Sequence, residues 1–317
     1  MTLITIDDIR QARQVINGRL HRTPMLTASL LGERLGVKLL FKAELLQKTG
    51  SYKPRGAINK LNSLTAEERA GGVVSMSAGN FAAGLAYAAA AMGVKATIVM
   101  PEAATKSKVA ATRAYGATAL LHGVGKDLMP KAMELVEQQH LTFVHPFDDP
   151  MIIAGTGTVG LEIMEDVAAP DVIFVPIGGG GLIAGIATAV KTLYPSARVI
   201  GVEPTGAVKM LTSLQQHKPM ALEKANTIAE GLAAPFAGKH TLEHVEKYVD
   251  EVVLVSDDEI KEAMLLIMER SKLFVEPSGA TGFAALLYNK VNVPAGSTVV
   301  CVLSGGNIDR EKLKGIL

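Results

Sequence analysis

Tryptophan is absent from the 317 residues, aromatic residues make up only 4%, and there is a single cysteine, Cys301. One thiol excludes an internal disulfide and suits a reducing compartment. It lies in the apolar run Ser297-Thr298-Val299-Val300-Cys301-Val302-Leu303, the setting of a buried strand residue rather than of a nucleophile. Charge of one sign is lacking as well. The 32 Lys and Arg residues face 31 Asp and Glu residues, a net charge of +1 with no block of like charges, so the electrostatic footprint of a nucleic-acid binder is missing. Long apolar runs are missing too. Residues 81–94 and 175–190 are the least polar stretches, and both are too short and too rich in Ala or Gly for a membrane span. The start, Met1-Thr2-Leu3-Ile4-Thr5-Ile6-Asp7-Asp8, has no basic region followed by a long apolar core, so no signal peptide is expected. These absences together predict a cytoplasmic protein that binds neither nucleic acid nor membrane.

What is present is ample core material, 48% apolar residues, in an alternating pattern. From Gly71-Gly72 onward, short apolar runs at residues 73–77, 95–100, 117–122 and 141–144 alternate with helical patterns. After the loop His145-Pro146-Phe147-Asp148-Asp149-Pro150 a second series begins, with strands expected at residues 172–175, 197–202 and 299–303. Residues 257–272 read as one long helix, and residues 204–249 show only weak periodicity. Alternating strands and helices imply parallel sheets covered by helices, with ligands bound beyond the C-terminal strand ends. Ser77, the glycines at 178–181 and Ser304 fall at such ends.

The stretch Gly50-Ser51-Tyr52-Lys53-Pro54-Arg55-Gly56-Ala57 places a lysine just ahead of a helical pattern, with Pro54 suited to the first turn. A lysine that forms a Schiff base needs such fixing and partial burial. Gly178, Gly179, Gly180 and Gly181 follow a buried strand and precede a helix, so their N–H groups and the helix dipole form a phosphate cradle. No Gly-Lys-Ser/Thr follows, which excludes a nucleotide P-loop. A bare tight turn would also use glycines. So would a dinucleotide fingerprint, since Gly179, Gly181 and Ala184 fit G-x-G-x-x-A and Glu203 stands where a ribose-binding acid belongs. Ser77-Ala78-Gly79-Asn80-Phe81 lies between a strand and a helix. The N–H groups of residues 78 to 80 would make a carboxylate site there, unless Ser77 or Asn80 is only a helix cap.

Taken together, Lys53, Asn80, the glycine turn and Ser304 resemble the fold-type II pyridoxal-phosphate enzymes, most closely the threonine/serine dehydratase and serine racemase group. The resemblance covers nearly the whole chain. It includes Lys42-Ala43-Glu44, residues 47–53, Ser77-Ala78-Gly79-Asn80, residues 144–150, residues 176–185, Val275-Glu276-Pro277-Ser278-Gly279-Ala280 and Leu303-Ser304-Gly305-Gly306-Asn307. It implies a tryptophan synthase β-like fold of two open parallel-sheet α/β domains with the site in the cleft between them. Residues 1–71 and 149–317 would form the large cofactor domain and residues 72–148 a small mobile one. It implies that Lys53 carries the pyridoxal 5'-phosphate aldehyde as a Schiff base and that Tyr52 lies against the ring. Asn80 would bond the ring hydroxyl, the four glycines would hold the phosphate, and Ser304 would meet the pyridine nitrogen. Ser77, Ala78, Gly79, Asn80 and Phe81 would receive the substrate, and the chain would form a homodimer.

The implied activity is β-elimination from L-threonine, L-serine or a related β-hydroxy amino acid to a 2-oxo acid and ammonia. A serine at the pyridine nitrogen gives a weaker electron sink than an aspartate would, which favours expulsion of the β-hydroxyl. The alternatives are β-replacement on the same fold, as in cysteine synthases, a nicotinamide-dependent oxidoreductase, and a non-catalytic ligand sensor. Three departures from the group matter. Ala78 stands where the racemases have a second serine, so little racemisation is expected. Asn80-Phe81-Ala82-Ala83 replaces the common Asn-His-Ala-Gln, which makes the pocket less polar. Glu203 and Ala207 match the divalent-cation site of some relatives, but its third position is Lys209, so no metal is expected. The chain ends soon after Ser304, leaving no room for the regulatory domain of the biosynthetic dehydratases, so feedback inhibition by isoleucine is not expected.

Overall fold

The computed structural model describes residues 3–317 and builds them around two sheets. The strands are β1 (Met25–Thr27), β2 (Lys38–Ala43), β3 (Val73–Met76), β4 (Ala96–Met100), β5 (Thr118–Leu121), β6 (Thr142–Phe143), β7 (Val172–Pro176), β8 (Arg198–Pro204), β9 (Glu251–Val255) and β10 (Thr298–Leu303). One sheet has the order β1-β2-β10-β7-β8-β9 and the other β5-β4-β3-β6. Every pairing is parallel except β1 with β2, as alternating strands and helices require.

The six-stranded sheet is buried on both faces, which is why its central strands read as unbroken apolar runs. Along β10, Val299, Cys301 and Leu303 join one core with Phe41, Phe174 and Phe283. Val300 and Val302 join the opposite core with Ile173, Val175 and Ile183. This period of two places Ser304 at the strand end beside the glycine turn that follows β7. The four-stranded sheet works the same way, with Val73 and Val74 in different cores. The core that holds Val73 also takes Ala57, Ile58 and Leu61 from the helix Lys53–Asn62 and Ile152 from the helix Pro150–Asp166. The lysine-bearing helix thus packs under the four-stranded sheet although it precedes that sheet in the chain.

Three elements depart from the sequence expectations. Residues 27–35, whose sequence predicts one short helix capped by Thr27 or Ser29, are helical only from Ser29, because Met25–Thr27 pairs antiparallel with β2 as an edge strand. The helix Pro150–Asp166, not expected, starts at the Asp149 cap, whose side chain accepts from Met151 N at 2.7 Å and from Ile152 N at 3.4 Å. The helix expected over residues 257–272 is α-helical only over Asp257–Leu266. It widens by one residue per turn over Ile267–Ser271 and stops at Lys272 in the left-handed region, φ 58°. From there the chain carries Glu276 to the site.

Candidate active site

Lys53 is the first residue of the helix Lys53–Asn62, with Pro54 in the first turn where its missing N–H costs nothing. Two contacts fix the segment before it. Ser51 bridges Gly305, and Tyr52 N donates to the Ser304 carbonyl at 3.2 Å. The half-buried Lys53 side chain therefore leaves from the end of β10. Its Nζ lies 5.0 Å from the Tyr52 ring centroid and 5.7 Å from that of Phe81, and donates to the Pro146 carbonyl at 3.5 Å. Two aromatic faces flank the amine, and each stabilises a cation there.

The next residue, Phe147, touches the glycine turn. Its ring lies where a Cβ on Gly179 would fall, and its carbonyl would lie 2.9 Å from a Cβ on Gly181. Pro146 and Phe147 thus join the lysine amine to the turn. Gly180 has φ 97°, a conformation that an L side chain rarely adopts, and opens the helix Gly181–Leu193. The glycines therefore answer first to protein neighbours. The N–H groups do not: from Gly178 through Ile183 none donates to a protein acceptor, and all but that of Gly178 belong to buried residues. Buried unpaired donors at a helix start are expensive unless an anion meets them. The residues fit a phosphate group on that observation.

Ser77 and Ala78 follow β3. The helix Asn80–Met92 starts at Gly79 with no side-chain cap, so neither Ser77 nor Asn80 is spent as one. The Ser77 hydroxyl accepts from Gly79 N at 3.3 Å. The open N–H groups are those of Ala78, Asn80 and Phe81 rather than those of 78 to 80. Phe81 is buried in the core under the four-stranded sheet and presents its ring to Lys53. The two helices meet where Gly84 has no side chain, since a Cβ there would lie 2.9 Å from Lys53 Cβ.

The Asn80 amide reaches across to the other sheet, where Nδ2 donates to Glu276 Oε1 at 2.6 Å and Oδ1 accepts from Asn307 Nδ2 at 2.8 Å. Burial pushes the Glu276 carboxyl up to about 7, against the Asn80 hydrogen bond and the charges of Lys108 and Lys53. His145 is a second group without an assigned role in the sequence. Burial holds its imidazole down to about 4, and its Nδ1 accepts from Asp148 N at 2.8 Å and Phe147 N at 3.3 Å, as a neutral ring must. Its ring stands edge-on to Phe147 with centroids 4.6 Å apart and so backs the residue that covers the glycine turn. Neither group has a pattern of its own in the sequence.

Behind the lysine lies a buried charge network. Arg55 makes paired bonds of 2.8 Å to both Glu44 oxygens, and bonds of 2.7 and 2.9 Å to the Glu162 oxygens. Lys42 Nζ meets Glu162 at 2.6 Å and the Thr23 carbonyl at 2.7 Å. The two carboxylates hold the Arg55 guanidinium above its ordinary range despite burial, and Arg55 and Lys42 in turn hold Glu162 below the usual carboxylate range despite its own burial.

Glu203 is closed to a ribose. It is fully buried and accepts from the N–H groups of Lys209 at 3.2 Å, Met210 at 3.0 Å and Leu211 at 3.0 Å, and from Lys209 Nζ at 3.1 Å. This corrects the dinucleotide alternative, because the acid caps the short helix Met210–Gln216 instead of facing a ligand. The Lys209 ammonium is itself buried and also meets the Ala207 and Leu232 carbonyls, each at 3.0 Å. It does not reach solvent.

The model of the family "Pyridoxal-phosphate dependent enzyme" matches residues 16–305. An L-threonine ammonia-lyase of Thermotoga maritima is 45% identical over 316 residues, 99% of this chain and 78% of that protein. A catabolic L-threonine dehydratase of Escherichia coli is 44% identical over 315 residues, 99% of this chain and 96% of that protein. Among solved structures, the T.th. threonine deaminase superimposes with a TM-score of 0.91 at 42% identity, covering 96% of this chain and 99% of that one. Maize serine racemase gives 0.95 at 38% identity, covering 99% and 97%. A phosphate-ready turn and a fixed lysine amine, carried on this shared architecture, make the chain a member of the fold-type II pyridoxal-phosphate-dependent enzymes, in the group of the threonine ammonia-lyases and serine racemases.

Proposed function

We propose that the protein deaminates L-threonine, L-serine or a related β-hydroxy amino acid by β-elimination of water, which is taken up again on hydrolysis, to give a 2-oxo acid and ammonia. The observation that carries this is the joint placement of the Lys53 amine and the unpaired N–H groups of residues 178–183 on Pro146 and Phe147. The names and close identity of the relatives support it. Pyridoxal phosphate, when bound, supplies an aldehyde for the substrate amine and an electron sink for the carbanion. The turn would hold its phosphate, Asn80 its ring hydroxyl, Ser304 its pyridine nitrogen, and Tyr52 one ring face. The open N–H groups at Ala78, Asn80 and Phe81 take the substrate carboxylate. The freed Lys53 Nζ takes the α-proton, held by the rings of Tyr52 and Phe81. The β-hydroxyl leaves as water, with the proton taken from the α-carbon balancing the loss, and hydrolysis returns one water to yield the 2-oxo acid and ammonia. Ala78 has no proton to give on the opposite face, so racemisation is slight.

The expected result with a panel of β-hydroxy amino acids is 2-oxo acid from at least one, with threonine foremost. No 2-oxo acid from any of them would overturn the assignment. Amino-acid product formed only when a thiol is added would favour β-replacement instead, and cofactor binding without any turnover a sensor.

The proposal extends to a site without a metal ion, in which the Lys209 ammonium stands where relatives place a cation. Activity should be unchanged by a divalent chelator. Lys209→Ala should destabilise the fold by about 3 kcal/mol, because it strands a buried carboxylate. Part of that loss should return with added cations, read from melting curves with and without magnesium or potassium. We also assign residues 72–148, which hold the four-stranded sheet, to a small mobile domain and residues 1–71 with 149–317 to a large one. A homodimer in the cytoplasm completes the proposal, supported by the group's habit and by a lone reduced thiol. No helix among the described residues is long and apolar enough to cross a membrane.

A further inference from the structure

The Asn80 side chain is held at both ends by residues that its own helix does not carry. Glu276 lies at the start of the helix Pro277–Leu287, and Asn307 follows β10. Asn307 Nδ2 donates one hydrogen to Asn80 Oδ1 and the other to the Thr49 carbonyl, both at 2.8 Å. A backbone carbonyl can only accept, so it fixes which end of the Asn307 amide is nitrogen. That nitrogen then requires oxygen at the facing end of Asn80. The direction of the chain of bonds is therefore set by the backbone at Thr49, independently of how the Asn80 amide itself is assigned.

The remaining end of Asn80, Nδ2, points inward. A Cβ on Gly305 would lie 3.2 Å from it and a Cβ on Gly231 4.0 Å from it. The Gly231 carbonyl in turn borders Gly178 of the glycine turn, 3.0 Å from where a Cβ would stand. Asn307 is exposed, whereas Glu276 is buried. Glu276 accepts one Nδ2 hydrogen, and the second hydrogen is left for a ligand in the cleft. A protonated Glu276 still has a carbonyl oxygen to accept with, so this arrangement does not need its charge.

We propose that Glu276 and Asn307 are positioning residues that lock the Asn80 amide so that an N–H, and not the C=O, is offered to the ring oxygen of pyridoxal phosphate. This rests on Asn80 being the ring-oxygen contact assigned under Proposed function. An N–H at that point favours the anionic oxygen and a C=O would favour the protonated one, so the lock sets the electronic state of the cofactor.

The test uses holoenzyme variants read by the visible absorption band of the bound cofactor and by the affinity of the apoenzyme for pyridoxal phosphate. Asn80→Ala is the reference and is expected to shift the band and to weaken binding about tenfold or more. Asn307→Asp replaces the donor with an acceptor at an exposed position, giving up the bond to the Thr49 carbonyl, and so turns the Asn80 amide round. Glu276→Leu removes the inner acceptor. Asn307→Asp should reproduce the Asn80→Ala shift; Glu276→Leu, which leaves the Thr49–Asn307 anchor in place, should weaken cofactor binding with a smaller shift, and Glu276→Gln, which keeps an acceptor oxygen, should retain the parental band. If Asn80→Ala shifts the band and the Asn307→Asp and Glu276→Leu variants keep both the parental band and the parental affinity, the lock is overturned while the contact stands. If Asn80→Ala itself changes nothing, the contact is wrong and the lock falls with it.

Discussion

Replacing Lys53 by alanine is expected to lower kcat at least about a thousandfold, because one side chain supplies both the anchoring amine and the base. Lys53 Nζ lies between the rings of Tyr52 and Phe81, and its bond to the Pro146 carbonyl keeps it beside the glycine turn. The variant should still bind pyridoxal phosphate through the turn, since those N–H groups are backbone. The diagnostic measurement is rescue. A small primary amine added to the Lys53→Ala enzyme should restore part of the rate in proportion to its concentration. A Lys53→Ala enzyme with more than about a tenth of the parental rate would place the base elsewhere.

The second large effect concerns Arg55, two residues on. Arg55→Leu should cost about 5 kcal/mol of folding stability, the upper end for breaking a buried ion pair. The reason is that Glu44 and Glu162 would both remain buried, at 0% and 6% exposure, with only Lys42 to neutralise them. A denaturant series should show a lower midpoint at unchanged slope. Removing the charges together should cost far less than removing the arginine alone, since stranded carboxylates cause the damage. A combined variant with Glu44→Gln and Glu162→Gln added to Arg55→Leu is therefore expected to recover much of the loss. A fall of under about 1 kcal/mol in Arg55→Leu would show that water reaches this network.

The fold was most legible where burial is symmetrical. The run at residues 299–303 is apolar throughout, and those at 73–77 and 95–100 are mostly so, because both faces of their sheets are covered and no competing pattern obscures them. The helix Lys239–Tyr248 was not legible, since its buried face carries Thr241 and His244 beside Leu242 and Val245. His244 is accommodated by one bond from a distant residue, Ile4 N at 3.0 Å, and one to the His240 carbonyl a turn earlier. A polar residue satisfied at long range looks like a surface residue in the sequence. The same holds at the site. Lys53, Asn80, the glycine turn and Ser304 sit in motifs and could be named. Glu276, Asn307, His145 and Arg55 fell inside quoted stretches but drew no role, because each acts through a partner far along the chain or through its packing. Lys209 stood in the sequence as the departure from the cation site, and the structure pairs it with Glu203, six residues away.

The lone thiol gives the protein a built-in reporter. Cys301 sits in mid-strand with Phe41 and Phe174 as its lateral neighbours, fully enclosed, and burial raises its pKa well above that of a free thiol. An alkylating reagent can reach it only in molecules whose central sheet has come apart. The rate of labelling therefore measures how often that sheet opens, and it stays silent to fraying or rocking of the four-stranded layer. Comparing labelling with and without pyridoxal phosphate would show how far ligand binding closes the large sheet, with no engineered probe and no other cysteine to confuse the signal.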